Sequence, residues 1–253
     1  MIKKEVLILF IEMINIIYLK IYDFLVSLID KSNKNKITSF LKRKTSNKKL
    51  IIFDVGAHKG ETLKIFIDNF DIEKILCFEP NKSVFNILVK RFSDLKNKGV
   101  TLLNYGLGNQ SNIKKLNILN DSSSSTFSKI NEKSEYFKRK KRIISLFSKS
   151  PFFKEVDVKV ETISHFINLY NLDRIDILKI DTEGSEFEIL NGIEKEYFSK
   201  INFIYFEHHF DLMLDKGYKF SDINDLLLKN NFKKIFKIKM KFRKTFEYIY
   251  EKK

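Results

Sequence analysis

The sequence contains one cysteine, Cys77, among its 253 residues, and it contains no tryptophan. A single thiol cannot form an intrachain disulfide, and it cannot supply the cluster of thiolates that binds zinc. Stabilisation of either kind is therefore excluded. The lack of disulfides is typical of a reducing compartment, and we expect a cytoplasmic location.

A long uninterrupted apolar run is also absent from residues 1–30, although this stretch is strongly apolar. Glu12, Lys20 and Asp23 interrupt it, whereas a membrane span needs about 20 predominantly apolar residues. No small-residue cleavage site of a secretory signal follows. At a helical period the acidic residues share one face, which predicts an amphipathic N-terminal helical arm. The arm could pack on protein, including a second copy of the chain, or lie peripherally on the inner face of a membrane.

The sequence contains fewer acidic than basic residues, with 32 Asp and Glu and 47 Lys and Arg, so its formal net charge is +15. Such a charge attracts nucleic acid or anionic membrane surfaces. However, Lys is overused together with Asn, Ile and Phe, as a general compositional bias would produce. Charge alone therefore does not indicate a polyanionic partner.

From Leu50 onward, short apolar runs alternate with segments of helical periodicity, which predicts an α/β fold with a parallel sheet covered on both faces. Strands are predicted at residues 50–53, 74–78, 100–103, 175–180 and 201–206, and helices at 61–70, 83–95, 163–170, 186–190 and 223–230. The tail at 232–250 alternates Lys with apolar residues and predicts a closing β-hairpin.

The segment before the alternation, residues 31–49, is rich in Lys, Asn and Ser. It predicts a linker with a short helix at 37–42. We therefore expect an arm and linker at 1–48 and a single domain at 49–253.

The middle of the chain interrupts the alternation. Residues 113–119 predict an extra strand, and residues 131–153, with the basic run at 138–142, predict a basic helical insertion over one end of the sheet. An extended run at 156–160 predicts that the alternation resumes there.

The first predicted strand leads into the turn Asp54-Val55-Gly56-Ala57-His58-Lys59-Gly60, where a helix begins. Gly56 lets the backbone turn tightly and approach a ligand, and Gly60 allows close passage at the helix start. The third glycine of the dinucleotide fingerprint is missing. Asp54 would repel a pyrophosphate but attract the ammonium of a methionine moiety, so the turn favours a cofactor that is cationic there. The alternative is that Asp54 only caps the turn.

A carboxylate, Glu79, follows the second predicted strand. It lies about 20 residues beyond the glycine turn, the spacing at which an acidic residue binds the hydroxyls of a ribose. The alternative is a purely structural carboxylate.

Acidic residues also follow two later strands. Asp181 and Glu183 follow the strand at 175–180, and Glu207-His208-His209 ends the next. The carboxyl ends of parallel strands lie at one edge of a sheet, where ligands bind, so we expect these groups to face one cleft.

Four blocks together resemble the FkbM-type methyltransferases: residues 53–60 (FDVGAHKG), 78–80 (FEP), 178–192 (LKIDTEGSEFEILNG) and 206–208 (FEH). The resemblance implies a class I Rossmann-like methyltransferase fold, a three-layer αβα sandwich with a mostly parallel seven-stranded sheet closed by a C-terminal β-hairpin. It also implies S-adenosylmethionine as the cofactor. Members of the family mostly methylate hydroxyl groups, often on sugars, so a small-molecule, glycan or glycolipid acceptor is implied.

The resemblance places Asp54, Gly56 and Gly60 around the methionine part of the cofactor, Glu79 at the ribose, and Asn104 to Gly106 near the adenine. The other residues that it implies for cofactor binding adjoin these motifs or follow a later strand: His58, Glu61, Thr62, Pro80 and Asp181. His58 would close over the cofactor or substrate, or else be an exposed loop histidine.

Methyl transfer to a hydroxyl requires alignment of the reacting atoms and removal of a proton as the bond forms. His208 or Glu183 could take the proton directly, because histidine titrates near neutral pH. Alternatively, Asp181, Glu183 and Glu207 could hold Mg²⁺, which prefers oxygen ligands and would acidify a bound hydroxyl. In a third, structural alternative, the acids cap the helix after Gly184 and the histidines pack.

Two other functions stay open on the sequence alone. A nucleic-acid methyltransferase would use the positive charge, but residues 181–184 (DTEG) replace the Asp/Asn-Pro-Pro-aromatic signature of enzymes that methylate exocyclic amines. Nucleic acid is therefore not the expected partner. A non-catalytic protein that binds S-adenosylmethionine would need Asp54 and Glu79 but neither Glu183 nor His208.

Overall fold

A seven-stranded sheet forms the centre of the protein in a computed structural model, which describes residues 31–46, 48–119, 125–134, 137–138, 153–210, 213–240 and 244–253. In chain order, the strands are β1 (Leu50–Val55), β2 (Ile72–Phe78), β3 (Val100–Leu103), β4 (Gly106–Leu107), β5 (Asn112–Leu119), β6 (Ser125–Thr126), β7 (Lys129–Ile130), β8 (Phe153–Glu161), β9 (Ile175–Ile180), β10 (Ile201–His209), β11 (Leu214–Asp215), β12 (Phe232–Lys239) and β13 (Thr245–Lys252). The helices are α1 (31–44), α2 (Glu61–Asn69), α3 (Lys82–Phe92), α4 (Ile163–Leu169), α5 (Glu186–Asn191) and α6 (Phe220–Lys229). The helix predicted at 1–30 and most of the insertion predicted at 131–153 lie outside the described residues.

The order of the sheet is β12-β13-β10-β9-β1-β2-β3. The strands β1, β2, β3, β9 and β10 are parallel, whereas β13 pairs antiparallel with both β10 and β12. The predicted sheet and its closing hairpin are therefore confirmed. The order of strands reverses between β1 and β9, and ligands of open α/β sheets bind in the crevice at such a point.

Helices cover both faces of the sheet, because its strands bury apolar side chains on both sides. Ile52 and Ile177 face one buried cluster together with α1, α2 and α3. Phe53 and Leu178 face a second cluster together with α4, α5 and α6. The predicted three-layer αβα arrangement is confirmed. In the described part of the chain, no helix is both long and apolar enough to cross a bilayer.

The predicted linker at 31–49 is instead largely helix α1, a longer helix than the one expected at 37–42. Its residues Ile37 and Leu41 are 3% and 1% exposed and pack in the buried cluster that contains Ile52 and Ile177 of the sheet. The Nδ2 atom of Asn33 donates a hydrogen bond at 3.2 Å to a backbone carbonyl of β12. The apolar stripe of α1 is narrow, so the abundance of Lys, Asn and Ser around it concealed the helical period. α1 is therefore part of a helical layer.

A second, four-stranded sheet has the order β4-β8-β5-β6, and β5 pairs antiparallel with β8. The extra strand predicted at 113–119 is confirmed as β5. The run at 156–160 lies in β8 and does not rejoin the main sheet, so that expectation was wrong. Charged and apolar residues alternate along β8, as suits a strand with one exposed face rather than a central strand.

Because Leu41 of α1 is buried, we expect the substitution Leu41→Ala to have a large effect on stability. The substitution should lower the free energy of unfolding by about 2 to 4 kcal/mol, because it leaves a cavity between α1 and the sheet. Urea unfolding would measure this change. Lys42→Ala, at the neighbouring exposed position, is the control and should stay within about 0.5 kcal/mol of the parent protein. An unchanged stability of Leu41→Ala would contradict the packing of α1.

Candidate functional site

A cleft of about 270 Å³ opens at the carboxyl ends of β1, β2, β9 and β10. The turn after β1 forms one wall, and residues of β9, β10 and β13 contribute to the opposite wall. The predicted site residues that line the cleft are Gly56, His58, Glu61, Thr62, Glu79, Pro80, Gly106, Asp181, Glu183 and Glu207. The predicted residues Asp54, Gly60, Asn104 and His208 are not among those that line it.

Both glycines of the turn have left-handed backbone, with φ of 79° at Gly56 and 88° at Gly60. A Cβ on Gly56 would lie 1.9 Å from the carbonyl oxygen of Asp181, and one on Gly60 would lie 2.2 Å from a ring carbon of Phe92. Only glycine fits either position. Gly56 lines the cleft as predicted, whereas Gly60 allows α2 to pack against α3 rather than facing a ligand.

Glu79 lies beside the turn and is 5% exposed. Its Oε2 atom accepts a hydrogen bond from the backbone N–H of His58 at 3.0 Å, and its Oε1 atom accepts one from Asn81 at 2.8 Å. Burial raises the pKa of this carboxyl, although both backbone donors oppose the shift. A carboxylate has about four acceptor positions, so Glu79 can also accept hydrogen bonds from ligand hydroxyls in the cleft.

Asn104 acts on the backbone of this turn rather than on the cleft. Its Nδ2 atom donates to the carbonyl oxygens of Glu79 at 2.8 Å and Pro80 at 3.1 Å. Asn104 therefore supports the turn, and the predicted placement of residues 104–106 near the adenine stays a prediction. The neighbouring Tyr105 and Gly106 line the cleft instead, and Tyr105 carries no motif that would have singled it out.

A buried lysine, Lys179, lies between two carboxylates at the ends of β1 and β9. Its Nζ atom is 3.1 Å from Oδ1 of Asp54 and 3.5 Å from Oδ2 of Asp181. Burial alone would lower the pKa of Lys179, but the two carboxylates outweigh it and the pKa is raised. This Asp54-Lys179-Asp181 triad adjoins Gly56, because Nζ of Lys179 also contacts the Gly56 carbonyl oxygen at 3.4 Å. Burial raises the pKa of Asp54, and the charge of Lys179 opposes that shift.

The triad corrects the placement expected for Asp54, which is 0% exposed, does not line the cleft and pairs with Lys179 instead. Asp181 provides the carboxylate that lines the cleft. The sequence did contain a signal for Lys179, since it is a charged residue inside the apolar strand 175–180 and stands opposite Asp54 in the pairing of β1 with β9.

Two further carboxylates lie at the other end of the cleft. The Nε2 atom of His209 is 2.9 Å from Oε1 of Glu207 and 3.3 Å from Oε2 of Glu183. The other ring nitrogen of His209 is 3.1 Å from Oγ1 of Thr245. The structure therefore brings Glu183 and Glu207 together, as predicted, with His209 linking them.

His208, predicted as a candidate base, lies on the opposite face of β10 from Glu207. It is 2% exposed, and its ring centroid is 5.6 Å from that of Phe220. Side chains alternate between the two faces of a strand, so Tyr205 and Glu207 line the cleft while Phe206 and His208 lie in the other layer. This placement corrects the expectation for His208, and on β10 it is His209 that contacts the cleft carboxylates Glu183 and Glu207.

The carboxylates predicted to bind Mg²⁺ already have protein partners, with Asp181 beside Lys179 and both Glu183 and Glu207 beside His209. Among the residues that the structure describes, no group of three or more His, Cys, Asp or Glu side chains is arranged to hold a metal ion. The direct proton transfer and the magnesium site both stay predictions.

Residues 54–234 match the sequence model of the Methyltransferase FkbM domain, which covers more than half of the chain and includes the glycine turn, Glu79 and the acidic strand ends. The chain belongs to the FkbM methyltransferase family. Its fold is the class I Rossmann-like fold of S-adenosylmethionine-dependent methyltransferases. The crystal structure of methyltransferase FkbM from Methylobacillus flagellatus shares this fold, with a TM-score of 0.50 and 18% identity over 80% of this chain and 44% of that one.

Two curated relatives are also named methyltransferases. Methyltransferase sdnD of Sordaria araneosa is 25% identical over 162 residues, which cover 59% of this chain and 62% of the relative. Methyltransferase 1 of Beauveria bassiana is 24% identical over 152 residues, which cover 60% of this chain and 61% of the relative. The matches thus span about three fifths of the length of these relatives.

The FkbM match does not account for the whole cleft. Lys34 from α1, Met240 after β12 and Glu247 from β13 also line it, and all three lie outside residues 54–234. No sequence motif marks these residues, and the hairpin and α1 reach the cleft only in the folded chain.

If Glu79 binds the ribose as predicted, Glu79→Gln should bind S-adenosylmethionine at least roughly tenfold more weakly, because a hydrogen bond to a charged group contributes about 1.5 to 3 kcal/mol. Calorimetric titration with S-adenosylmethionine and S-adenosylhomocysteine would measure this. Glu155→Gln, at an exposed position of β8, is the control and should bind both as the parent protein does. Equal affinities of Glu79→Gln and the parent would rule out the ribose contact.

Proposed function

We propose that this chain is an S-adenosylmethionine-dependent O-methyltransferase that modifies a hydroxyl group of a sugar, glycan or glycolipid. The observation that carries the proposal is that the glycine turn at Gly56 and the carboxylates of Glu183 and Glu207 line one cleft. Membership of the FkbM family supports the cofactor, and the chemistry of the cleft supports the acceptor.

The lining fits the proposed cofactor. S-Adenosylmethionine, when bound, supplies a methyl group attached to a positively charged sulfur. Glu79 would hold the ribose hydroxyls, and Tyr105 and Gly106 would border the adenine. The carboxylate of Asp181, which lines the cleft beside Gly56, would favour the cationic methionine part over an anionic ligand.

We call the part of the cleft lined by Glu183 and Glu207 the acceptor wall. It suits a neutral molecule with several hydroxyl groups. Ionised Glu183 and Glu207 only accept hydrogen bonds, and hydroxyl groups can donate them. Two such bonds would fix the orientation of the acceptor and align one oxygen with the methyl group. A phosphate backbone would be repelled by the same carboxylates, so the cleft favours a sugar over nucleic acid.

We further propose that the reaction needs no divalent metal, because the candidate ligands are engaged by Lys179 and His209. Purified protein should transfer labelled methyl groups from S-adenosylmethionine to a glycan extract of a deletion host equally well with EDTA or with added Mg²⁺. A loss of transfer in EDTA that Mg²⁺ restores would support a magnesium site instead.

The sugar acceptor predicts that deleting the gene removes at least one O-methyl group from the surface sugars or secreted glycans of the host, as measured by glycan mass spectrometry. The parent gene should restore that group. Glu207→Gln should not, although it should bind S-adenosylmethionine normally, because Glu207 lies in the acceptor wall. Glu196→Gln, at an exposed position, is the matched control and should restore it.

Two outcomes would contradict the proposal in different ways. If the deletion leaves every O-methyl group in place, the sugar acceptor is wrong. If Glu207→Gln restores the group fully, the carboxylate wall is not the acceptor site.

A further inference from the structure

A buried carboxyl group, Glu247, lines the cleft from the closing hairpin. It is 3% exposed, and its Oε1 atom accepts a hydrogen bond from the hydroxyl of Tyr205 at 2.8 Å. Its Oε2 atom is buried and has no hydrogen-bond partner among the described residues. An unpartnered buried acceptor costs free energy, so a carboxyl at the wall of a cleft in this state points to a donor on a ligand.

The other carboxylates of this wall differ from Glu247. Asp181 is next to Lys179, and Glu183 and Glu207 share His209. Glu247 has neither a lysine nor a histidine within ion-pair distance among the described residues. Its hydroxyl partner, Tyr205, contacts only Oε1 and leaves Oε2 without a hydrogen-bond partner among the described residues.

Charged groups on three neighbouring elements act on Glu247. It stands directly opposite Glu207 in the pairing of β10 with β13. Burial, and then the carboxylates of Glu207 and Asp181, raise its pKa to about 7, against the Tyr205 hydrogen bond and the charge of Lys34 on α1. A carboxyl that gains and loses its proton near neutral pH is suited to general-base catalysis.

We propose that Glu247 is a catalytic residue that accepts the proton of the acceptor hydroxyl, with Tyr205 as its positioning residue. This inference rests on the proposed O-methyl transfer and deepens it. The O–H bond of the acceptor breaks, and its proton passes to Oε2 of ionised Glu247. The acceptor oxygen forms a bond to the methyl carbon while the carbon–sulfur bond breaks. The electron pair of that bond stays on sulfur, which becomes a neutral thioether, and Glu247 then releases its proton to solvent.

The assignment also places the proton acceptor outside the part of the chain that matches the family, on a strand that pairs with β10. Lys34 and Met240 line the same region of the cleft from α1 and the end of β12. The acceptor half of the cleft is therefore completed by the two terminal elements of the described chain.

The activity test uses the full chain, S-adenosylmethionine with a labelled methyl group, and a glycan extract of the deletion host. Glu247→Gln should slow transfer by about 100-fold or more, as expected for loss of a general base, while its affinity for S-adenosylmethionine stays within about twofold. The rate of the parent protein should rise with pH through about 7, and the residual rate of Glu247→Gln should lack this rise. Glu251→Gln on the same strand, which loses only exposed ion pairs with Lys44 and Lys233, is the control.

A second measurement needs no acceptor. The folded state raises the pKa of Glu247 from 4.5 to about 7, so folding favours the protonated form. The stabilising contribution is complete below the unfolded pKa and is lost as pH rises through the folded pKa. Glu247→Gln, which is always neutral, should therefore have a higher Tm than the parent at pH 8, and the difference should disappear below about pH 4.

Each outcome supports or overturns the assignment. If Glu247→Gln transfers methyl groups at the parent rate, or if its Tm is lower than that of the parent at both pH values, Glu247 is not the proton acceptor. If the parent protein itself transfers nothing to any glycan extract while the Tm difference appears as expected, the proposed acceptor fails and the ionisation of Glu247 stands.

Discussion

The contact of Lys179 with Asp54 and Asp181 holds together the two strands between which the cleft opens. Asp54 on β1 and Lys179 on β9 are opposite one another in a parallel pairing, and both are almost fully buried. A buried charge without a partner is strongly unfavourable, so each side chain requires the other. The turn at Gly56 adjoins this contact, because Nζ of Lys179 also lies 3.4 Å from the Gly56 carbonyl and the turn packs against the carbonyl of Asp181. The shape of the cofactor wall thus follows from a charge pairing within the sheet.

The reversal of strand order at β1 divides the cleft between two sets of strands. On one side, the ends of β1 and β2 provide the glycine turn and Glu79, which lie close together because the carboxyl ends of neighbouring parallel strands meet. On the other side, β9, β10 and β13 provide carboxylates and Tyr205. Methyl transfer needs a donor and an acceptor in line, and a crevice with two chemically different walls supplies one binding surface for each.

Much of this arrangement could be predicted from the sequence, since strong apolar strands, glycine turns and strand-end acids each act locally. The wrong predictions for individual residues share a cause, because each depended on contacts that form only in the folded chain. His208 was preferred to His209 because a strand boundary does not fix which face each side chain occupies, and a shift of one residue reverses the face. Asp54 was assigned to the ligand because its partner, Lys179, is distant in sequence. The contacts of Asn104 with the turn could not be predicted, because backbone hydrogen bonds across a turn leave no pattern in the residues.

Helix α1 (31–44) contributes one residue to the core and another to the cleft. Leu41 is buried in the core, while Lys34, about two turns earlier, lines the cleft. Burial alone would raise the pKa of Asp181, but the charges of Lys179, His209 and Lys34 together lower it. The charge of Lys34 also opposes the rise of the pKa of Glu247. Carboxylates gathered in one wall repel each other and reduce stability, and such a cost is tolerated where function requires it. The packing of α1 through Leu41 therefore keeps a cation beside a group of acids that the sheet alone would leave less well compensated.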